Sequence, residues 1–112
     1  MLMPHQDQAL LAAGRSLADG SNVDPEPIVR VLLPDASATW LLAARDPEQP
    51  DRVYGLLDPG DRPPELGWTS WRSIVAARGA LGRVPVVDAE HRAVAPLSHY
   101  VRRAVAIGLV PD

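Results

Sequence analysis

Between residues 28 and 69, four short apolar runs follow one another with connections of only a few residues each. The runs are I-V-R-V-L-L (28–33), T-W-L-L-A-A (39–44), R-V-Y-G-L-L-D (52–58) and L-G-W-T (66–69). Their β-branched and aromatic content and their length mark them as strands. A parallel crossover needs a dozen or more residues, and none of these connections has them, so the strands are expected to form an antiparallel meander. The first two runs are almost continuously apolar, which predicts that at least one is central, with both faces covered. P-D-A-S (34–37) reads as a turn, Pro being favoured at the second position of a type I turn. R-D-P-E-Q-P-D (45–51) reads as an acidic, Pro-containing loop.

Helical spacing appears on either side of the meander. Pro4 suits a first helical turn, where its missing N–H costs nothing. Leu10, Leu11, Ala13, Gly14, Leu17 and Ala18 then recur with helical period up to a stop at Gly20. Gly14 in that pattern either weakens the helix by roughly 1 kcal/mol relative to Ala or marks a close packing contact. Ser70 is expected to cap a helix running from Trp71 to about Arg78, with stops at Gly79 and Gly82. Residues 84–87 contain Pro85 and can be an edge strand at most. Pro96 opens the last helix, with a stripe of Leu97, Val101, Ala104 and Val105 and an end at Gly108. The expected architecture is a single α+β domain over residues 1–112: a four-stranded antiparallel meander with one N-terminal helix, and two C-terminal helices packed on one of its faces.

Composition limits the chemistry. At 112 residues the chain buries roughly two thirds of its unfolded surface, enough for a core without metal or disulfides. Hydrophobic content of 46% and charged content of 22% argue against disorder. There is no Cys, which removes disulfide frameworks, thiolate nucleophiles and zinc ribbons. All eleven basic residues are Arg, and without Lys neither Schiff-base chemistry nor a P-loop lysine is available. The net charge of -3 speaks against a protein that lives on the nucleic-acid backbone. No run reaches about 18 apolar residues, and the N-terminus lacks a basic and then apolar leader, so a cytoplasmic protein is expected.

The candidate site is the rim from 58 to 65. Asp58, Asp61 and Glu65 fall within eight positions across a Gly- and Pro-rich turn. They are candidates to bind a partner, to hold a divalent cation through oxygen ligands, or to serve as a paired acid and base. Against this stands ordinary turn chemistry: Asp58 before Pro-Gly accepting backbone N–H groups, and Glu65 paired with Arg62 or Arg52. The rim does not match an EF-hand loop. Alternation sends Leu66 and Trp68 to one face of the last strand and Gly67 and Thr69 to the other. Trp68 or Trp71, beside Arg52 or Arg72, is a candidate anchor for a protein partner or a stacking base; Trp40 reads as core. His91 and His99 with Asp88 and Glu90 have no metal-ligand spacing. Ser98-His99 is not a triad, and there is no phosphate-binding Gly loop. No cofactor is expected.

Four segments in order carry a family resemblance: L-L-A-A-G; D-P-E-P-I-V-R-V-L-L-P followed by A-T-W-L-L; Y-G-L-L-D-P-G-D-R-P-P-E-L-G-W; and P-L-S-H-Y ahead of the final helix. From about Leu10 to Leu109 the chain resembles the bacterial domain-of-unknown-function family twenty-nine fifty-eight. The resemblance implies a stand-alone domain encoded on plasmids and other mobile elements, with no assigned activity. The expected function is therefore that of a non-enzymatic accessory protein of a mobile element. It binds another protein, such as a host defence or replication component, through Asp58, Asp61, Glu65, Trp68 and Trp71. A nucleic-acid-binding module using Arg72, Arg78, Arg102 and Arg103 is the first alternative. A metal-assisted hydrolase built on the three acids is the second.

Overall fold

The computed structural model describes residues 2–34, 38–58, 63–78, 81–88 and 91–107. Residues 35–37 of the turn expected at 34–37, the stops at Gly79 and Gly108 and the side chain of Val105 lie outside the described residues.

Helix α1 spans Pro4–Asp19. Pro4 occupies its first turn, the Gln6 side chain accepts the Met3 N–H at 2.9 Å, and Gly20 ends the helix in the left-handed region at φ 78°. These are the start and stop devices that the sequence carries. Strands β1 (Val29–Leu33), β2 (Ala38–Arg45), β3 (Arg52–Asp58) and β4 (Glu65–Ser70) follow, then helix α2 (Trp71–Ala76), strand β5 (Val86–Val87) and helix α3 (Leu97–Ile107).

All pairings are antiparallel, in the spatial order β4-β3-β2-β1-β5. The α+β class and the meander of the first four strands are as expected. The sheet has five strands rather than four, because Val86 and Val87 pair with Leu32 and Val31 on the outer side of β1. Pro85 precedes this pairing instead of interrupting it. The Asp88 N–H donates to the Arg30 carbonyl at 2.8 Å, and the two side chains form an ion pair at 3.1 Å, extending the join.

The two C-terminal helices lie on opposite faces of the sheet, not together. Strand β2 explains this: Leu41 and Leu42 are both fully buried, and neighbours in a strand project to opposite sides. On one side Leu42, Val29, Val31 and Val53 pack with Leu10 of α1 and Ile74 of α2. On the other, Leu41, Ala43 and Leu56 pack with Leu97, Tyr100 and Ala104 of α3. A strand apolar on both faces needs two covers, so a single helical layer would leave one row of leucines in water.

Helix α2 also stops sooner than expected. Ala77 is already extended (φ -61°, ψ 141°), and the Arg78 guanidinium turns back to donate to the Val75 and Ala77 carbonyls. The polar end of that side chain thus satisfies carbonyls that a longer helix would have used. Gly14 proves to be a packing contact. A Cβ there would meet the Arg45 carbonyl oxygen at 1.8 Å, so its absence lets α1 lie directly on the end of β2. Asp7 of α1 receives the Arg45 guanidinium beside it.

Candidate functional site

The ladder between β3 and β4 sets which side chains share a surface. Glu65 stands opposite Leu57, Leu66 opposite Leu56, Gly67 opposite Gly55 and Trp68 opposite Tyr54. Glu65 therefore projects with Leu57, whereas Asp58, the next residue along β3, projects to the other face. Asp58 is buried (7% exposed) and lies opposite Thr39 of β2; Glu65 is exposed. Their two carboxylates do not converge on one point. Asp61 lies outside the described residues, as does Glu90.

The two tryptophans also separate. Trp71 opens α2 and packs half-buried against the cluster that holds Ile74 and Leu42. Trp68 projects with Tyr54 and Leu66 from the opposite face of the sheet. Trp68 is 38% exposed and Leu66 beside it is 44% exposed.

Three contacts in series fix the Trp68 ring. The Tyr54 ring lies across it at 5.1 Å between centroids, tilted by 50°. The Arg52 guanidinium sits over it, 4.8 Å from the centroid, within the range of a cation–π contact. Arg52 is held in turn by Asp46, whose Oδ2 accepts from Nη1 at 3.3 Å. The other oxygen of Asp46 accepts the Glu48 and Gln49 N–H groups at the bend between β2 and β3. Arg52 thus pairs with Asp46, not with Glu65. Next to this stack a hollow of about 230 Å³ is lined by Gly14, Leu17, Ala18, Asp46, Pro47 and Trp68. Burial, and secondly the carboxylate of Asp24, push the Tyr54 phenol above its usual pKa, so it stays neutral and acts as a ring and hydroxyl only.

Two acids that sequence reasoning passed over hold the helices that flank this sheet. Asp51 accepts the Ser70 hydroxyl at 2.6 Å and the Arg72 N–H at 2.9 Å, while its carbonyl accepts the Trp71 N–H at 2.7 Å. Ser70 caps α2 by accepting the Ser73 N–H, as expected, but Asp51 orients it. The Ser70 hydroxyl, and after it the Arg72 N–H, hold the Asp51 carboxyl below its ordinary value. Asp24 does the same for α3. Its carboxylate accepts both the N–H and the hydroxyl of Ser98, and the Pro25 carbonyl accepts the Leu97 N–H. Both acids sit in loops far from the helices they serve, so local spacing carried no sign of them.

The remaining candidates disperse. Arg72 and Arg78 accompany α2 and Arg102 and Arg103 accompany α3, so the exposed guanidinium groups are divided between opposite faces. The His91 ring is 3.2 Å from the Pro27 carbonyl through Nε2, and His99 lies edge-on to Tyr100. Among the described residues no three His, Asp or Glu side chains come together in a way that could hold a metal ion.

Fold and site together define a small α+β protein: a five-stranded antiparallel sheet covered on both faces, with one exposed aromatic stack near its β4 edge. The chain belongs to the family DUF2958, described as a protein of unknown function, and the family match spans residues 1–111. No curated protein and no solved structure matches it. Among the described residues no helix is long and apolar enough to cross a membrane.

Proposed function

We propose that this protein works by binding another protein, and that the Trp68 face of β3 and β4 is its contact surface. The observation that carries the reading is that Trp68 is exposed yet held still, between Tyr54 at 5.1 Å and Arg52 at 4.8 Å. An exposed aromatic ring loses little conformational freedom on binding when its rotamer is already set, which is how Trp comes to dominate binding energy at interfaces. The hollow beside it, with the apolar walls of Leu17, Ala18 and Pro47, suits an apolar side chain of the partner. Within the expected rim, this reading moves the weight from the acids to Trp68, since Asp58 and Glu65 point apart. In keeping with the resemblance noted from the sequence, the partner class is a host defence or replication component met by an accessory protein of a mobile element. The nucleic-acid and hydrolase readings draw less support, because the four arginines are split between faces and, among the described residues, the Asp58 and Glu65 carboxylates point apart.

Affinity capture with the full tagged chain in its native host tests this. Proteins that co-elute with the natural sequence are expected to be lost with Trp68→Ala and with Ala18→Glu, which places a charge in the hollow. Identical co-eluting proteins from all three chains would refute the assignment of this face.

A further inference from the structure

Strand β4 ends the sheet on one side, and among the described residues no backbone hydrogen bond reaches it from beyond its ladder with β3. An edge of this kind offers a row of unpaired N–H and C=O groups to any extended chain. Natural edges are usually protected by Pro, by Lys or Arg, or by a bulge. The sequence E-L-G-W-T-S of β4 has none of the first three, and its ladder with β3 runs without a register shift. Its one charge, Glu65, is at its start.

We propose that this edge is a dimerisation strand: two copies pair antiparallel about a two-fold axis through Gly67, so that Leu66 of each lies against Trp68 of the other. The occupant follows from side-chain parity. Residues opposite one another in an antiparallel pair share a face, so a symmetric pairing of β4 with itself must be centred on a residue. Centring on Leu66 would set Trp68 against Pro64, and centring on Trp68 would set Leu66 against Ser70. Centring on Gly67 sets Leu66 against the partner's Trp68 and the reverse. Leu66 and Trp68 are the two large exposed apolar side chains of this strand, at 44% and 38%. They project from one face, and in this register each covers the other. The β3-side flank of the Trp68 ring is already taken by Tyr54 and Arg52, which leaves the outer flank for the partner. Gly67 at the axis carries no side chain, and among the described residues nothing lies within 4 Å of its Cβ position, so no side chain crowds the two backbones there. On the opposite face the register sets Glu65 against the partner's Thr69, and so keeps the two Glu65 carboxylates apart.

This inference deepens the reading of the Trp68 face and rests on it. The two-fold axis is perpendicular to the sheet, so both copies present that face on the same side and a partner protein meets a doubled surface. The interface is a strand and two side chains per copy, at the small end of specific contacts.

Sedimentation of the full chain over a range of concentrations, together with single-Cys cross-linking, tests the register. The protein has no Cys of its own, so Gly67→Cys introduces a unique thiol. Under mild oxidation Gly67→Cys is expected to form a covalent dimer, and Thr69→Cys is not, since the two copies of residue 69 are roughly four residues apart along the ladder. Thr69→Glu places like charges opposite Glu65 twice per dimer and is expected to weaken association about tenfold, with Glu65→Lys in the same chain restoring it. A chain that sediments as a monomer throughout and gives no more cross-link at 67 than at 69 overturns the proposal. So does a dimer that Thr69→Glu leaves unchanged. Because Thr69 is on the other face from Trp68 and Ala18 is away from the edge, the two ideas separate. A chain that sediments as a monomer while partner capture is still lost with Ala18→Glu would sink the dimer and leave the binding face standing.

Discussion

A methyl group at Gly14 would sit 1.8 Å from the Arg45 carbonyl oxygen, whereas one at Gly67 would meet nothing within 4 Å among the described residues. The obstacle at Gly14 is backbone, which cannot swing aside. Gly14→Ala is therefore expected to destabilise by about 1–3 kcal/mol through overpacking, despite the better helix propensity of Ala. Gly67→Ala should stay within about 0.5 kcal/mol of the natural chain. Urea midpoints for the two variants check the contrast. At this scale the sequence was partly readable. Helical spacing showed that Gly14 stood in a buried stripe, but only the placement of α1 against β2 says which of its two meanings holds. For Asp58 and Glu65 the governing fact is an alternation about the Leu57 pairing, and that register depends on a turn whose length the residues alone do not fix.

The short helices show why elements were easier to foresee than their positions. Pro4, Gly20 and Ser70 act where they stand, so the ends of α1 and the start of α2 were legible as local chemistry. Asp51 and Asp24 act across 21 and 74 positions, to Arg72 and Ser98, and no local pattern announces them. The same distance hid the pairing of the fifth strand with β1; the two-sided apolar character of β2 was legible, but not which helix covers which face. The depressed Asp51 carboxyl has a measurable consequence. A group whose folded pKa lies below its unfolded value stabilises the fold above that value, and loses the effect as pH falls through the folded one. The natural chain should thus lose stability on acidification below pH 3.8, the ordinary value for Asp, with Asp51 among the contributors. Asp51→Asn should start less stable at neutral pH and fall less steeply across that window, as thermal melts at stepped pH would show.

Across the whole molecule, protection should follow the layering. Strand β2 lies in the middle of the sheet with Leu41, Leu42, Ala43 and Ala44 all buried, so its amides are expected to exchange slowest, near the rate of global opening. The amides of β5 should exchange far sooner, and those of β4 should gain protection as protein concentration rises if copies pair there. Hydrogen exchange at two concentrations reads both. The remote acids also imply an order of events. Neither six nor eleven residues make a stable helix in isolation, and each C-terminal helix borrows its starting carboxylate from a loop made earlier in the chain. The sheet is in that sense the mould and the helices its late castings. Removing either acid, by Asp24→Ala or Asp51→Ala, should hasten unfolding while leaving the refolding rate close to that of the natural chain, the kinetic mark of contacts made after the barrier is crossed.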